Sequence, residues 1–66
     1  MIKMVLTYNK ETERYNDFNC GECFKIKVND KWKQVRIEID AKGWYLIDED
    51  NFTCRCKNLE GCEIEN

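Results

Sequence analysis

The chain has 66 residues, a formal net charge of −2, five cysteines, three glycines and neither proline nor histidine. So short a chain makes one domain, residues 1–66, and buries only roughly 60% of the surface its unfolded form exposes. Its slight negative charge offers no bulk attraction to nucleic acid, and a chain without His or Ser lacks the commonest general base and the hydroxyl nucleophile of serine hydrolases.

In chain order, Ile2, Met4, Leu6 and Tyr8 alternate with Lys3, Val5 and Thr7, which predicts a strand with one continuous apolar face. The same opening stretch is too short for the apolar part of a signal peptide. No run is long or apolar enough to span a membrane, and a cytoplasmic protein is expected. The polar run 9–13 predicts a loop. Residues 14–18 fit either a short strand with Tyr15 inward or a loop pinned by Tyr15 and Phe18. Asn19-Cys20-Gly21-Glu22 is a turn leading into the most regular part of the chain.

That part runs from Cys23 to Ile47. Phe24, Ile26 and Val28 alternate with Cys23, Lys25 and Lys27, and Val35, Ile37 and Ile39 alternate with Gln34, Arg36 and Glu38. Alternation gives each strand one apolar and one charged face. Asn29-Asp30 between the runs tolerates the left-handed backbone of a two-residue hairpin turn. This register sets Val28 against Lys31, Ile26 against Lys33 and Phe24 against Val35. Trp32 then either returns to the core side through a bulge or sits outside beside Lys27. Asp40-Ala41-Lys42-Gly43 is a second turn, with Gly43 at positive φ. Trp44 and Leu46 share one face of a third strand, Tyr45 and Ile47 the other.

Asp48-Glu49-Asp50-Asn51 predicts an acidic loop. Phe52, Cys54 and Cys56 are expected on one face of a short extended segment. Residues 58–61 read as a turn, with Cys62 and Ile64 on a last strand. Five or six short strands with almost no helix predict an all-β domain, its antiparallel sheet rolled into an SH3-like barrel, with a plain antiparallel sheet that dimerises as the alternative. A core this small favours a staple, for which a metal, a disulfide, a homodimer and a bound partner are the candidates.

Arg14-Tyr15, Cys20-Gly21-Glu22, Trp32, Arg36-Ile37-Glu38, Gly43-Trp44-Tyr45-Leu46 and Leu59-Glu60-Gly61 follow one another in an order that is familiar. From Arg14 to Ile64 the chain resembles a family of short proteins of unknown function encoded by phages and other mobile elements of low-GC Gram-positive bacteria. The resemblance implies an all-β single domain and brings no catalytic residues and no ligand. Cys23, Cys54, Cys56 and Cys62 depart from the family's pattern, which often carries aliphatic residues at those positions.

Three constellations are candidates for function. Residues 24–36 hold five basic residues and one acid, whereas residues 37–52 hold five acids and one base. Lys25, Lys27, Lys33 and Arg36 with Trp32 suit a nucleic-acid surface, cations tracking phosphates while a ring stacks on a base. Trp32, Tyr45 and Tyr15 with the acidic stretches Asp48, Glu49, Asp50 and 60–65 suit an interface with a host protein, because aromatic residues dominate binding hot spots. Cys20, Cys23, Cys54 and Cys56 form two close pairs of thiols that suit tetrahedral zinc. The plain alternative to zinc is five free thiols packed as small apolar groups, an odd count being unsuited to full disulfide pairing. The plain alternative for the charges is a solvated surface. A non-enzymatic protein-binding domain is the favoured expectation. A nucleic-acid-binding barrel is the alternative, and a zinc-stabilised module comes third.

Overall fold

Asn29 and Asp30 both have positive φ, 52° and 62°, the pair of left-handed residues that a type I′ hairpin turn requires. The turn joins β4 (Cys23–Val28) to β5 (Lys31–Asp40) with no bulge. Phe24 faces Val35, Ile26 faces Lys33 and Val28 faces Lys31, as the alternation predicts. In that uninterrupted register Trp32 stands opposite Lys27 and lies outside, 43% exposed. The second turn brings β6 (Gly43–Asp48) back along β5, with Asp40 opposite Gly43 and Ile37 opposite Leu46. Gly43 has φ +118°, as expected, and the Lys42 amide donates to the Asp40 side chain at 2.9 Å.

The computed structural model describes residues 3–66. The remaining strands are β1 (Met4–Val5), β2 (Tyr8–Asn9), β3 (Arg14–Tyr15), β7 (Thr53–Arg55) and β8 (Glu63–Glu65). Six of the eight form one antiparallel sheet in the order β1-β8-β4-β5-β6-β7, and β2 pairs with β3 in a small separate hairpin. The sheet is left open, with edge strands β1 and β7 of two and three residues. Short edges offer little template for unwanted pairing.

One core fills the concave side. Phe24, Ile26, Val35, Ile37, Leu46 and Ile64 point into it from the sheet, and Leu6, Tyr15, Phe18 and Cys56 close it from the flanks. Phe18 stacks flat on Phe24, ring centroids 4.3 Å apart. At the far end of β5, Ile39 shares the parity of Ile37 yet is 49% exposed, because the strand runs past the core.

The flanks differ from the sequence expectation in two places. The opening segment is two strands in two sheets, and Ile2 lies outside the described residues. Met4 and Tyr8 are exposed, and within 4–8 only Leu6 is buried. The break occurs at Leu6–Thr7. The Leu6 amide donates to the Cys62 carbonyl, and its carbonyl accepts from Gly61. The next amide, Thr7, instead donates to the Asn16 side chain at 2.9 Å, while the Asn16 amide group donates to the Val5 carbonyl at 2.9 Å. Asn16 thus substitutes for a strand neighbour and turns the chain away from β8. Asn16 and Asp17, with φ 49° and 59°, form a second left-handed pair. That turn carries Phe18 into the core, so Tyr15 sits on a strand and Phe18 in a loop, and both are buried.

The second difference is at the cysteines. β7 stops at Arg55, and Cys56 opens a 3₁₀ turn, Cys56–Asn58, that points its side chain into the core. Phe52 lies before the strand and is 72% exposed. The expected shared face of Phe52, Cys54 and Cys56 is therefore not formed.

Candidate binding surfaces

Strand parity decides what the convex face of the sheet displays. Cross-strand partners on that face are Lys27–Trp32, Lys25–Gln34, Lys25–Glu65, Cys23–Arg36, Glu38–Tyr45 and Tyr45–Arg55. The alternating charges seen in the sequence are thus interleaved across strands. Lys27 and Lys3 both reach Glu63, at 3.6 and 3.2 Å, and Lys3 above all holds that carboxyl below its ordinary value. Arg36 pairs with Glu38 at 2.6 Å. On the other face Lys33 lies 3.9 Å from Asp48. Three cations of the basic hairpin are therefore already matched by acids, and Lys25 has Glu65 opposite it.

Trp32 lies in a shallow groove of about 270 Å³ with Lys33, Gln34, Asp48, Glu49 and Asp50. Folding brings the acidic loop and the exposed indole to one groove, although the two are far apart in sequence. Within the loop the three acids have different duties. Asp48 is committed to structure: its carboxylate accepts from the amides of Asp50 at 2.9 Å and Phe52 at 3.1 Å, and its carbonyl from Asn51. Asn51 at φ 66° completes that turn. Glu49 and Asp50 are exposed at its tip.

Tyr45 is half-buried further along the convex face, with the Arg55 guanidinium 5.3 Å from its ring centroid. Arg55 also grips Asp40 through two hydrogen bonds of 2.8 Å. Those bonds hold the Asp40 carboxyl down at about 2 and raise Arg55 further. Tyr45 is thereby covered on one side and is not grouped with Trp32.

The four cysteines proposed for zinc are dispersed. The Cys20 thiol donates to Glu38 at 3.1 Å, a bond that raises the thiol and lowers the carboxyl. Cys23 is on the convex face of β4 opposite Arg36. Cys54 is three strands away on β7. Cys56 is in the core, where burial pushes it up to about 12. Among the described residues no three acidic or thiol side chains gather as metal ligands, and all five cysteines are free.

One group escaped the sequence reading. At the end of the sheet where β2–β3 leans on β6, Tyr8, Tyr15, Trp44, Lys42, Arg55 and Lys57 line a cleft of about 200 Å³. The indole N–H of Trp44 donates to the Glu13 carbonyl at 2.8 Å and ties the small hairpin to the sheet. Tyr15 donates its hydroxyl to Glu60 at 3.1 Å, and burial followed by that bond lifts it to about 12. Its members come from four separate stretches, so no local spacing announces it. The recurrence of Asn-Asp at 16–17 and 29–30 was the available hint that the chain reverses after Tyr15.

An all-β domain with shallow charged grooves on an open antiparallel sheet is the class these features define. The chain belongs to the family described as domain of unknown function DUF5348, whose model matches residues 3–66. No curated protein and no solved structure shows a significant match to the chain. Among the described residues no helix is long and apolar enough to cross a membrane.

Proposed function

We propose that this is a non-enzymatic binding domain that recognises another protein through Trp32 and the tip of the acidic loop. The observation that supports it most is the placement of an indole, 43% exposed, in one groove with Asp48, Glu49 and Asp50. An exposed aromatic that shares a groove with three acids suits a cationic patch carrying an apolar or Arg anchor. Trp32, Glu49 and Asp50 supply the contact, and Asp48 shapes the loop that presents Glu49 and Asp50. The bent six-stranded sheet is read as an open SH3-like roll acting as one cytoplasmic domain. In the setting of a mobile element, a basic groove on a host nuclease or defence complex is a partner of suitable chemistry. Recognition through the basic hairpin is the weaker reading, because Lys27, Lys33 and Arg36 already face acids.

The test is a pull-down from host lysate with the wild-type chain, Trp32→Ala and Glu49→Lys/Asp50→Lys. Capture of the same protein by wild type, lost in both variants and weakened by salt, is the expected result. Retention by the variants, or recovery of nucleic acid without a protein, overturns the proposal.

A further inference from the structure

We infer that the cleft between β2–β3 and β6 is a binding site for a nucleotide unit, a planar base with its phosphate. It is separate from the Trp32 groove and shares no residue with it. Three aromatic rings and three cations meet there, in a chain whose net charge is −2. Single-stranded nucleic-acid sites are built from this combination, a flat ring to stack on a base and a cation to meet the phosphate.

The cleft is held in shape before any ligand arrives. Trp44 is fixed by its bond to Glu13, and Tyr15 by its bond to Glu60. Tyr8 leans on Tyr15 with centroids 5.1 Å apart and a tilt of 57°, and is itself 38% exposed. Its ring is thus braced by Tyr15 and partly open to solvent. Of the cations, Arg55 is matched by Asp40. Lys42 and Lys57 are exposed and take part in none of the ion pairs among the described residues. In the basic hairpin three of the five cations, Lys27, Lys33 and Arg36, are already matched. Two unmatched ammonium groups beside supported rings favour an anion that also carries an aromatic plane over an anion alone.

The same chemistry is offered by a free mononucleotide and by a residue within a single strand, and titration separates them. The probe is the fluorescence of Trp44 in full-length Trp32→Phe protein, titrated with adenosine monophosphate, a single-stranded oligonucleotide and inorganic phosphate. Saturable quenching by the mononucleotide or the oligonucleotide is expected, and the better ligand identifies the source. Lys42→Glu/Lys57→Glu should weaken binding at least tenfold while leaving the thermal transition in place, since both side chains are exposed. With two phosphate contacts, affinity for a strand should fall roughly sevenfold between 50 and 200 mM salt. No quenching by either nucleotide ligand at millimolar concentration overturns the inference. So does binding that survives the double lysine change but is lost in Lys25→Glu/Lys27→Glu, which would place it on the hairpin. Quenching by phosphate alone that matches the nucleotides would reduce the cleft to an anion site and also overturn it.

Discussion

Trp32 and Trp44 sit on adjacent strands of the same sheet and meet opposite surroundings. Trp32 projects from the convex face with acids beside it, whereas Trp44 lies on the concave side, half-buried, bonded to Glu13 and flanked by lysines and an arginine. Hydrophobicity does not separate them, since the residue is the same. Strand parity does. Trp32 pairs with Lys27 and Trp44 with Ile39, and those positions belong to different faces. The contrast teaches that in a sheet one residue deep on each side, register alone assigns a large aromatic to structure or to display.

The largest expected effect sharpens this contrast directly. Trp44→Ala should destabilise the fold by about 3 kcal/mol, chiefly through packing lost against the core, with the bond to the Glu13 carbonyl a smaller part. Trp32→Ala should stay within about 0.5 kcal/mol. For a domain this small the difference corresponds to roughly 15 °C in melting temperature. Equal losses measured by thermal or urea unfolding would mean that Trp32 is not on the outside.

A second, intermediate effect is set by pH. Cys56 is raised from 9.0 to about 12 and Tyr15 from 10.0 to about 12, mainly by burial in each case. A folded-state value above the unfolded one means that the protonated form is favoured by folding. The contribution is whole below pH 9 and is lost as pH rises toward 12. Stability should therefore fall above pH 9, and Cys56→Ala should flatten the first part of that fall. A stability constant from pH 8 to 11 would break the comparison.

The smallest effect lies at acid pH. Asp40 is lowered from 3.8 to about 2 by the Arg55 hydrogen bonds. A depressed carboxylate contributes above its unfolded value and loses that contribution as pH falls from about 4 to about 2. The pair is partly exposed, so the loss should be slight. Asp40→Asn should abolish it and leave Arg55 as an unmatched cation at the Trp44 cleft. Denaturant midpoints of wild type and variant that run parallel between pH 5 and 2 would show that the pair contributes nothing.

The legible part of the molecule was the meander. Alternation from Phe24 to Ile39, with Asn29-Asp30 between two runs, predicts the β4–β5 register residue for residue, because both signals act between close neighbours. The first strand was less legible. Four alternating apolar residues promise one long strand, yet Asn16 and Cys62 compete for successive amides at Leu6–Thr7 and divide it. The cysteines show the same limit. Cys54 and Cys56 share a parity in extended chain, and the 3₁₀ turn removes Cys56 from it. Of the candidate binding residues, Trp32, Glu49 and Asp50 are brought together, while Tyr45 is covered by Arg55, and Lys27 and Arg36 are paired with acids.

Sequence by itself determined an all-β chain, two of its hairpin turns and the inward faces of β4 and β5, since period-two alternation, the Asn29-Asp30 pair and the glycine at Gly43 act through adjacent residues alone. Tertiary structure decided the open six-stranded order, the corner at Leu6, the burial of Cys56 and the grouping of each tryptophan with its charged neighbours. Those outcomes depend on which distant backbone amides and side chains meet, as where β1 pairs with β8 or the acidic loop closes against Trp32, and local periodicity carries no information about such meetings.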